Sequence, residues 1–408
     1  MKPELLAPAG DLEKLKYAYA YGADAAYIGG SAFGLRAYAG NFDDTKMEQA
    51  VKLAHTQGRK LYVAVNIFAH EQDFEELPAY LQQLEGLGVD AAIVSDPGVL
   101  ALAREVAPKL PLHLSTQANN TNSYTVRFWQ KHGVERVVLA RELSLKELGL
   151  VRAKVKGELE MFVHGAMCMS YSGRCLISNY LTGRDANRGE CTQPCRWNYS
   201  IQEEKRPGEY FPIEEDERGT YIFNSHDLCL LPHLPLLKPL NIESWKIEGR
   251  MKSVHYVAST VKVYREAIDT LWEEGEEAFQ ARLPGWLEEM DKVSHRDYSA
   301  GFLFGKPGPK AHNLETSHYV REYDFVGVAA EPEKVSEWVE QRNHFRAGEV
   351  LEVLTPHGEP WSFQVQGMWD IEGNPVEAAR HAQQLLRLEL PKPLEPNSIL
   401  RRAKGERK

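Results

Sequence analysis

Short apolar runs alternate with helix-period stretches through the first two-thirds of the chain. Residues 5–7 (LLA) precede Pro8-Ala9-Gly10, and Asp11 is placed to cap a helix running to Tyr21. Residues 23–28 then read as a strand closed by Gly29-Gly30, 44–57 as a helix, 60–67 (KLYVAVNI) as a strand and 75–87 as a helix. The alternation continues with strands at 91–94, 112–118, 134–140 and 159–163, and helices near 98–106, 122–132 and 144–153. An eighth unit comes after a long gap: strand 242–248 (NIESWKIE from 241), then Ser253 capping a helix whose Val254, Val257, Val261, Tyr264, Ile268 and Leu271 recur at helical spacing.

Eight such units predict an α/β fold, a (β/α)8 TIM-like barrel, with a doubly wound open sheet as the alternative. The stretch between strands seven and eight is too long for an ordinary βα loop, so residues 165–240 are expected to form an insertion on the C-terminal face. Past residue 273 come an acidic helix (274–290) and the segment SHRDYSAGFLFGKPG. From Tyr323 onward the short runs FVGVA, EVLEVLT, WSFQVQGM and LLRLEL, separated by turn residues, predict a small β-barrel. The expected domains are therefore 1–319 and 320–408.

Composition narrows this little: 43% hydrophobic and 26% charged residues are ordinary for a folded globular chain. Charge says more. A net charge of −10 gives no overall attraction to nucleic acid, so RNA binding would need a local basic surface. The opening MKPELLAPAGDLEKL has no apolar signal core and no run is long enough to span a membrane, which predicts a cytoplasmic protein without membrane association. In a reducing compartment clustered cysteines more often bind metal than form disulfides.

Residues two apart on a strand share a face, so polar residues at that spacing mark what points into the barrel. His113, Ser115, Gln117 and Asn119 form one such series, either a polar pocket or a hydrogen-bonded structural network. Glu160, Phe162 and His164 form a second, and Lys246, Glu248 and Arg250 a third. In the third, Lys246 and Arg250 could receive an anionic substrate while Glu248 orients them; a structural ion ladder is the alternative. Asn66, Asp96 and Arg141 stand at equivalent strand edges, whereas His55 and His70 read as surface histidines.

The densest chemistry lies in the insertion. Cys168, Cys175, Cys191 and Cys195 are spaced C-x6-C-x15-C-x3-C. Four thiolates suit a tetrahedral zinc or a [4Fe–4S] cube, and the wide gaps suit a cluster wrapped by a loop better than a zinc knuckle. Cys229, in NSHDLCLL, is a fifth thiol that could replace Cys195, although its leucine neighbours favour burial. Arg174, Arg184, Arg188 and Arg196 surround these cysteines as a candidate anion-attracting rim.

The run E-x-F-x-x-G-A-M-C-x6-C-x-x-S from Glu160 to Ser178 resembles the signature of the collagenase-like peptidase family U-32. ELLAPAG, RDANRGECTQPCRW, KIEGR and HRDYSAGF resemble the same family, and RPGEY and EDERGTYIFNS resemble its prephenate-dependent tRNA uridine hydroxylase branch. The resemblance implies a [4Fe–4S] cluster on Cys168, Cys175, Cys191 and Cys195. It also implies oxygen-independent C5 hydroxylation of the tRNA wobble uridine to 5-hydroxyuridine, with prephenate as hydroxyl donor. The expected partners are the tRNA anticodon loop, prephenate and a paralogous family subunit. On this reading His164, Glu160, Lys246 and Glu248 are the catalytic candidates, and Arg250, Arg174, Arg188, Arg196, Gln117 and Asn66 the substrate-binding ones. Two alternatives stay open: a collagenase-like peptidase, with a Cys nucleophile and His164 although no HExxH site is present, and a non-catalytic iron–sulfur tRNA-binding or maturation factor.

Overall fold

Seven parallel strands pair in chain order: β1 (Glu4–Pro8), β2 (Ala25–Gly29), β3 (Lys60–Val65), β4 (Ala91–Val94), β5 (Leu112–Leu114), β6 (Arg136–Val138) and β7 (Glu158–Ala166). They are seen in a computed structural model that describes residues 1–30, 33–34, 42–167, 177–184, 191–192, 194, 215–216, 219–220, 226–305, 322–330 and 336–404. Within the insertion lie a two-strand pair, β8 (Glu215–Asp216) with β9 (Gly219–Thr220), and the strand β10 (Asp227–Cys229). Strand β11 (Ser244–Ile247) then pairs in parallel with both β7 and β1, closing the eight-stranded ring. The open-sheet alternative is thereby excluded, since a doubly wound sheet has two free edges.

The crossover helices are α1 (Leu12–Ala20), α2 (Asp44–Thr56), α3 (Leu77–Leu87), α4 (Pro97–Val106), α5 (Ser123–Lys131) and α6 (Leu145–Arg152). Helices α7 (Ile177–Thr182) and α8 (Leu234–Leu237) belong to the insertion, and α9 (Val254–Glu273) and α10 (Glu276–Asp291) come after β11. Asp11, Asp43, Asp96, Asn122, Ser144 and Ser253 each sit at an N-cap and accept a hydrogen bond from a first-turn amide. Asp96 is thereby accounted for as the cap of α4. Among the described residues no helix is long and apolar enough to cross a membrane.

Three departures from the strand pattern matter for the site. β5 stops at Leu114, and Thr116–Ala118 forms a 3₁₀ turn that leaves Asn119 left-handed at φ 54°. His113, Ser115, Gln117 and Asn119 therefore do not share one strand face as expected. β11 ends at Ile247, so Glu248 and Arg250 lie on the turn beyond it. β7 is longer than expected, and its register with β11 slips: Lys246 pairs with Phe162 but Ile247 with His164. An extra residue at such a bulge turns the succeeding side chains to the other face. Beyond it, β10 lies antiparallel to the last turn of β7, and β12 (Tyr298–Ser299) pairs with β10.

The C-terminal domain comprises β13 (Tyr323–Ala329), β14 (Trp338–Gln341), β15 (Phe345–Arg346), β16 (Val350–Leu354), β17 (Trp361–Gln364), β18 (Met368–Trp369), β19 (Ala378–Ala379), β20 (Leu385–Leu388) and β21 (Ile399–Ala403). Seven of these form an antiparallel half-barrel sheet in the order β17-β16-β21-β13-β14-β20-β18. It packs on the helical flank of the barrel: Val328, Leu354 and Ile399 join the core beneath α1 and α9, and the Tyr21 hydroxyl donates to the carbonyls of Leu354 and Asn397. At the centre of this seam Arg401 of β21 is fully buried. It donates to Glu289 of α10 and Glu352 of β16, and lies 3.2 Å from His255 Nε2.

Two largely buried carboxylates share this guanidinium with the more exposed Lys292, which lies 3.0 Å from Glu352 and 3.5 Å from Glu289, so Arg401 supplies the buried part of their charge compensation. Arg401→Ala is expected to cost about 3–5 kcal/mol in urea unfolding followed by circular dichroism; a loss below about 1 kcal/mol would show the seam to be solvated instead.

Candidate active site at the barrel mouth

The barrel interior is unusually ionic. Glu160 is 1% exposed, accepts a 2.9 Å hydrogen bond from Lys246 and lies 3.4 Å from Arg136, which also bonds Glu158 and Glu4. Tyr62 donates to Glu4 at 2.9 Å, and the His113 ring stands edge-on to Tyr62 at 4.7 Å. Burial, and then the nearby Arg136 and Lys246, hold His113 well below the ordinary imidazole range, so it is neutral. Its Nδ1 has no partner among the described residues. The expected catalytic carboxylate Glu160 is thus the counter-ion of two interior cations. Its charge is shared between them inside the barrel.

Above this layer three cationic or acidic side chains gather on one ring. Tyr27 donates to the Glu248 carboxylate at 3.0 Å and to the Ile247 carbonyl at 3.1 Å. The Lys246 ammonium lies 4.3 Å from the centroid of that ring and the Arg250 guanidinium carbon 5.7 Å. Two glycines allow the segment carrying Glu248 and Arg250 to sit so close. A Cβ on Gly10 would lie 2.3 Å from the Arg250 carbonyl oxygen, and one on Gly165, at φ 112°, 2.4 Å from that of Glu248. The glycines of LAPAG and GAMC are therefore packing requirements of the mouth. Lys246, Glu248 and Arg250 meet around a tyrosine the sequence did not single out, the last two from the turn beyond β11 and not from one strand face as expected.

Across the opening, Asn66 donates to Ser115 Oγ at 3.3 Å and Ser95 Oγ to the Asn66 carbonyl at 3.1 Å. Gln117 comes next on the 3₁₀ turn, its Oε1 buried and without a partner among the described residues. Arg141 donates to the Ala166 carbonyl at 2.7 Å and covers the Phe162 ring at 4.9 Å, fixing the end of β7 two residues before Cys168.

His164 is corrected. The bulge in β7 turns it away from Glu160 and Phe162 and into the helix layer, among Tyr256 and Tyr264 of α9 and Tyr298. It is fully enclosed, and burial drives its pKa down to about 3. Such an imidazole stays neutral and, among the described residues, packs against tyrosine rings. Cys229 is opposite it on β10, 3.9 Å from the Tyr264 hydroxyl, with burial raising its thiol to about 11. Buried in this apolar layer, the Cys229 thiol resists ionisation.

β10 instead anchors the insertion. Asp227 and Arg296 are both buried and meet at 2.6 Å; burial alone would raise the Asp227 pKa, but the guanidinium outweighs it and the pKa falls. HRDYSAGF thus supplies the arginine that holds β10 in place. Cys191 is half-buried beside α7, where the Thr192 amide donates to Ser178 Oγ at 3.1 Å. Its thiol chemistry and fixed backbone fit a cluster ligand. Cys168, Cys175, Cys195, Arg174, Arg188 and Arg196 lie outside the described residues, while Arg184 is exposed at the end of α7. Among the described residues no group of three His, Cys, Asp or Glu is placed to hold a metal.

Tyr27, Ser95 and Arg136 were not anticipated. The available signal was alternation: Ala25, Tyr27 and Gly29 share a face in β2, so a tyrosine among small residues had to point inward. Arg136 at the start of β6 carries no such local mark, because its partners come from β1 and β7.

Among known families, the model of peptidase family U32 matches residues 10–313, and that of the peptidase family U32 C-terminal domain matches residues 321–401. The tRNA hydroxylation protein P1 of Bacillus subtilis is 41% identical over 405 residues, covering 99% of this chain and 95% of that one. The tRNA hydroxylation protein P of Escherichia coli is 39% identical over 441 residues, covering 98% and 96%. The 23S rRNA 5-hydroxycytidine C2501 synthase of Escherichia coli is 36% identical over 309 residues, 75% of this chain but 46% of that protein.

Enclosure of His164 makes stability depend on pH. The unfolded chain takes up a proton near pH 6.5 whereas the folded imidazole does so only near 3. The stability gained by keeping it neutral is therefore full above about pH 6.5 and drains as the pH falls toward 3, about 2 kcal/mol by pH 5. Urea unfolding at about pH 7.5 and pH 5 should show His164→Gln losing less stability over that interval than wild type; equal losses would mean that the imidazole is accessible.

Proposed function

This chain belongs to peptidase family U32, and from that membership and the chemistry of its barrel mouth we propose that it is a tRNA-modifying enzyme. It hydroxylates C5 of the wobble uridine to 5-hydroxyuridine without dioxygen, taking the hydroxyl from prephenate. The observation that carries this reading is the near end-to-end likeness to relatives named tRNA hydroxylation protein, and the convergence of Arg250, Lys246 and Glu248 on Tyr27 supports it.

Prephenate is a dicarboxylate, and a guanidinium offers paired donors to a carboxylate. Arg250 receives it at the mouth. Glu248, held by the Tyr27 hydroxyl, orients that arginine and keeps the local charge balanced. Lys246 lends positive potential from below while its ammonium stays on Glu160. The uracil, extruded from a single-stranded anticodon loop, meets Asn66, Ser115 and Gln117, whose amide and hydroxyl groups match its carbonyl and N–H edge. Cys168, Cys175, Cys191 and Cys195 would hold a [4Fe–4S] cluster above β7, and such a cluster supplies Lewis-acid or electron-transfer chemistry when bound. A peptidase reading would draw its base from His164, whose enclosure counts against it.

Deletion of the gene is expected to remove 5-hydroxyuridine-type nucleosides from bulk tRNA, as read by nucleoside mass spectrometry. Wild type should restore them, and Arg250→Ala should restore less than about a tenth; unchanged nucleosides in the deletion strain would overturn the proposal. Anaerobically purified protein should carry about four irons per chain. Cys191→Ala should lose most of that iron and Cys229→Ala should keep it. Stoichiometric zinc in place of iron would refute the cluster.

A further inference from the structure

An acidic chain that acts on RNA needs a local surface that phosphates can approach. Helix α5 is built as one: Trp129 packs against the core, while Tyr124, Arg127, Phe128 and Lys131 turn outward. Only Ser123 and Val126 of its nine residues are buried. Tyr124, Arg127, Phe128 and Lys131 recur at i, i+3, i+4 and i+7, the spacing of a single helix face, and that face is exposed. Tyr124 is 75% exposed and Phe128 52%, an unusual setting for two aromatic rings one turn apart. His132 extends the stripe, its ring 4.3 Å from that of Phe128.

Charge is as distinctive as shape. The chain has 58 Asp and Glu among 408 residues, yet none occurs from Val106 through Val134. Among the described residues neither Arg127 nor Lys131 makes an ion pair, while cations such as Lys2, Lys14, Arg152, Arg282 and Arg402 do. Arg127 instead lies over the Tyr124 ring at 4.7 Å, which leaves its donors available at the surface. The helix also starts at the right place. It comes after β5 and the 3₁₀ turn that Ser115 caps and that carries Gln117, and Asn122 caps it at the rim of the mouth.

We propose that the outward stripe of α5, Tyr124, Arg127, Phe128 and Lys131, is an RNA-docking track that guides the substrate strand to the barrel mouth. Bases stack on Tyr124 and Phe128, and phosphates meet Arg127 and Lys131. The inference rests on the reading of the chain as a tRNA-modifying enzyme and specifies where that substrate lies outside the reaction site. RNA fits better than a second copy of the chain, because a nine-residue helix about 14 Å long falls short of the roughly 800 Å² per partner of a stable protein interface.

The test uses the full-length purified protein and an unmodified tRNA transcript in filter binding across a salt series. Arg127→Gln with Lys131→Gln is expected to weaken binding at least tenfold at about 0.1 M salt and to lower the slope of log K against log salt by about 1.5–2. Tyr124→Ala with Phe128→Ala should weaken it about tenfold with the slope unchanged, and Lys52→Gln, on the exposed side of α2, should change neither. Wild type that fails to bind tRNA, or both double variants binding as wild type does, would overturn the track. So would variants that shift the oligomeric state in size-exclusion chromatography while leaving tRNA affinity intact, since the stripe would then be a protein interface. The nucleosides of the deletion strain separately decide whether the chain modifies tRNA, so failure of the track is distinguishable from failure of the activity.

Discussion

Charges withdrawn from water inside the barrel must answer one another, and that constraint organises the molecule. Arg136 needs Glu4 from one side of the ring and Glu160 from another, with the exposed Glu158 at the strand's outer end, while Lys246 needs Glu160. These residues come from β1, β6, β7 and β11, the four strands on either side of the closure. An interior of branched aliphatic residues would tolerate slippage; a carboxylate facing the wrong cation would not, because an unpaired buried charge costs several kcal/mol. The ion network therefore acts as a register device for the strands whose ends carry the site.

The same pairing divides labour along β11. Lys246 is committed downward to Glu160, whereas Glu248 and Arg250, just beyond the strand, turn on Tyr27 at the mouth. A single short segment thus joins the buried ionic layer to the mouth. Gly10 and Gly165 matter here for what they lack, since a side chain on either would push that segment out of place.

Much of this was legible in the sequence, and the failures have physical causes. Strand and helix periodicity gave all eight units because each buries a face at a fixed repeat, and the caps Asp11 and Ser253 were readable because a cap bonds within its own first turn. The grouping of Lys246, Glu248 and Arg250 was also visible, as a period-two pattern close to a strand end. What could not be read was a change of period. The slip in β7 that sends His164 to the helix layer, and the turn after Leu114 that diverts Gln117 and Asn119, each depend on partners far away in the chain. The partner of Glu160 was hidden for the same reason: nothing near it in sequence reveals Arg136.

The pairing of Asp227 with Ala166 bears on how this architecture can vary. The two ends of the insertion meet as neighbours on one antiparallel ladder, locked by Arg141 on one side and Arg296 on the other. A loop whose ends are already joined adds to the entropy of closure only slowly as it lengthens. The chain between Ala166 and Asp227 can therefore be exchanged or enlarged without reopening the barrel wall, so that sequence can be gained there at little cost to the vessel itself.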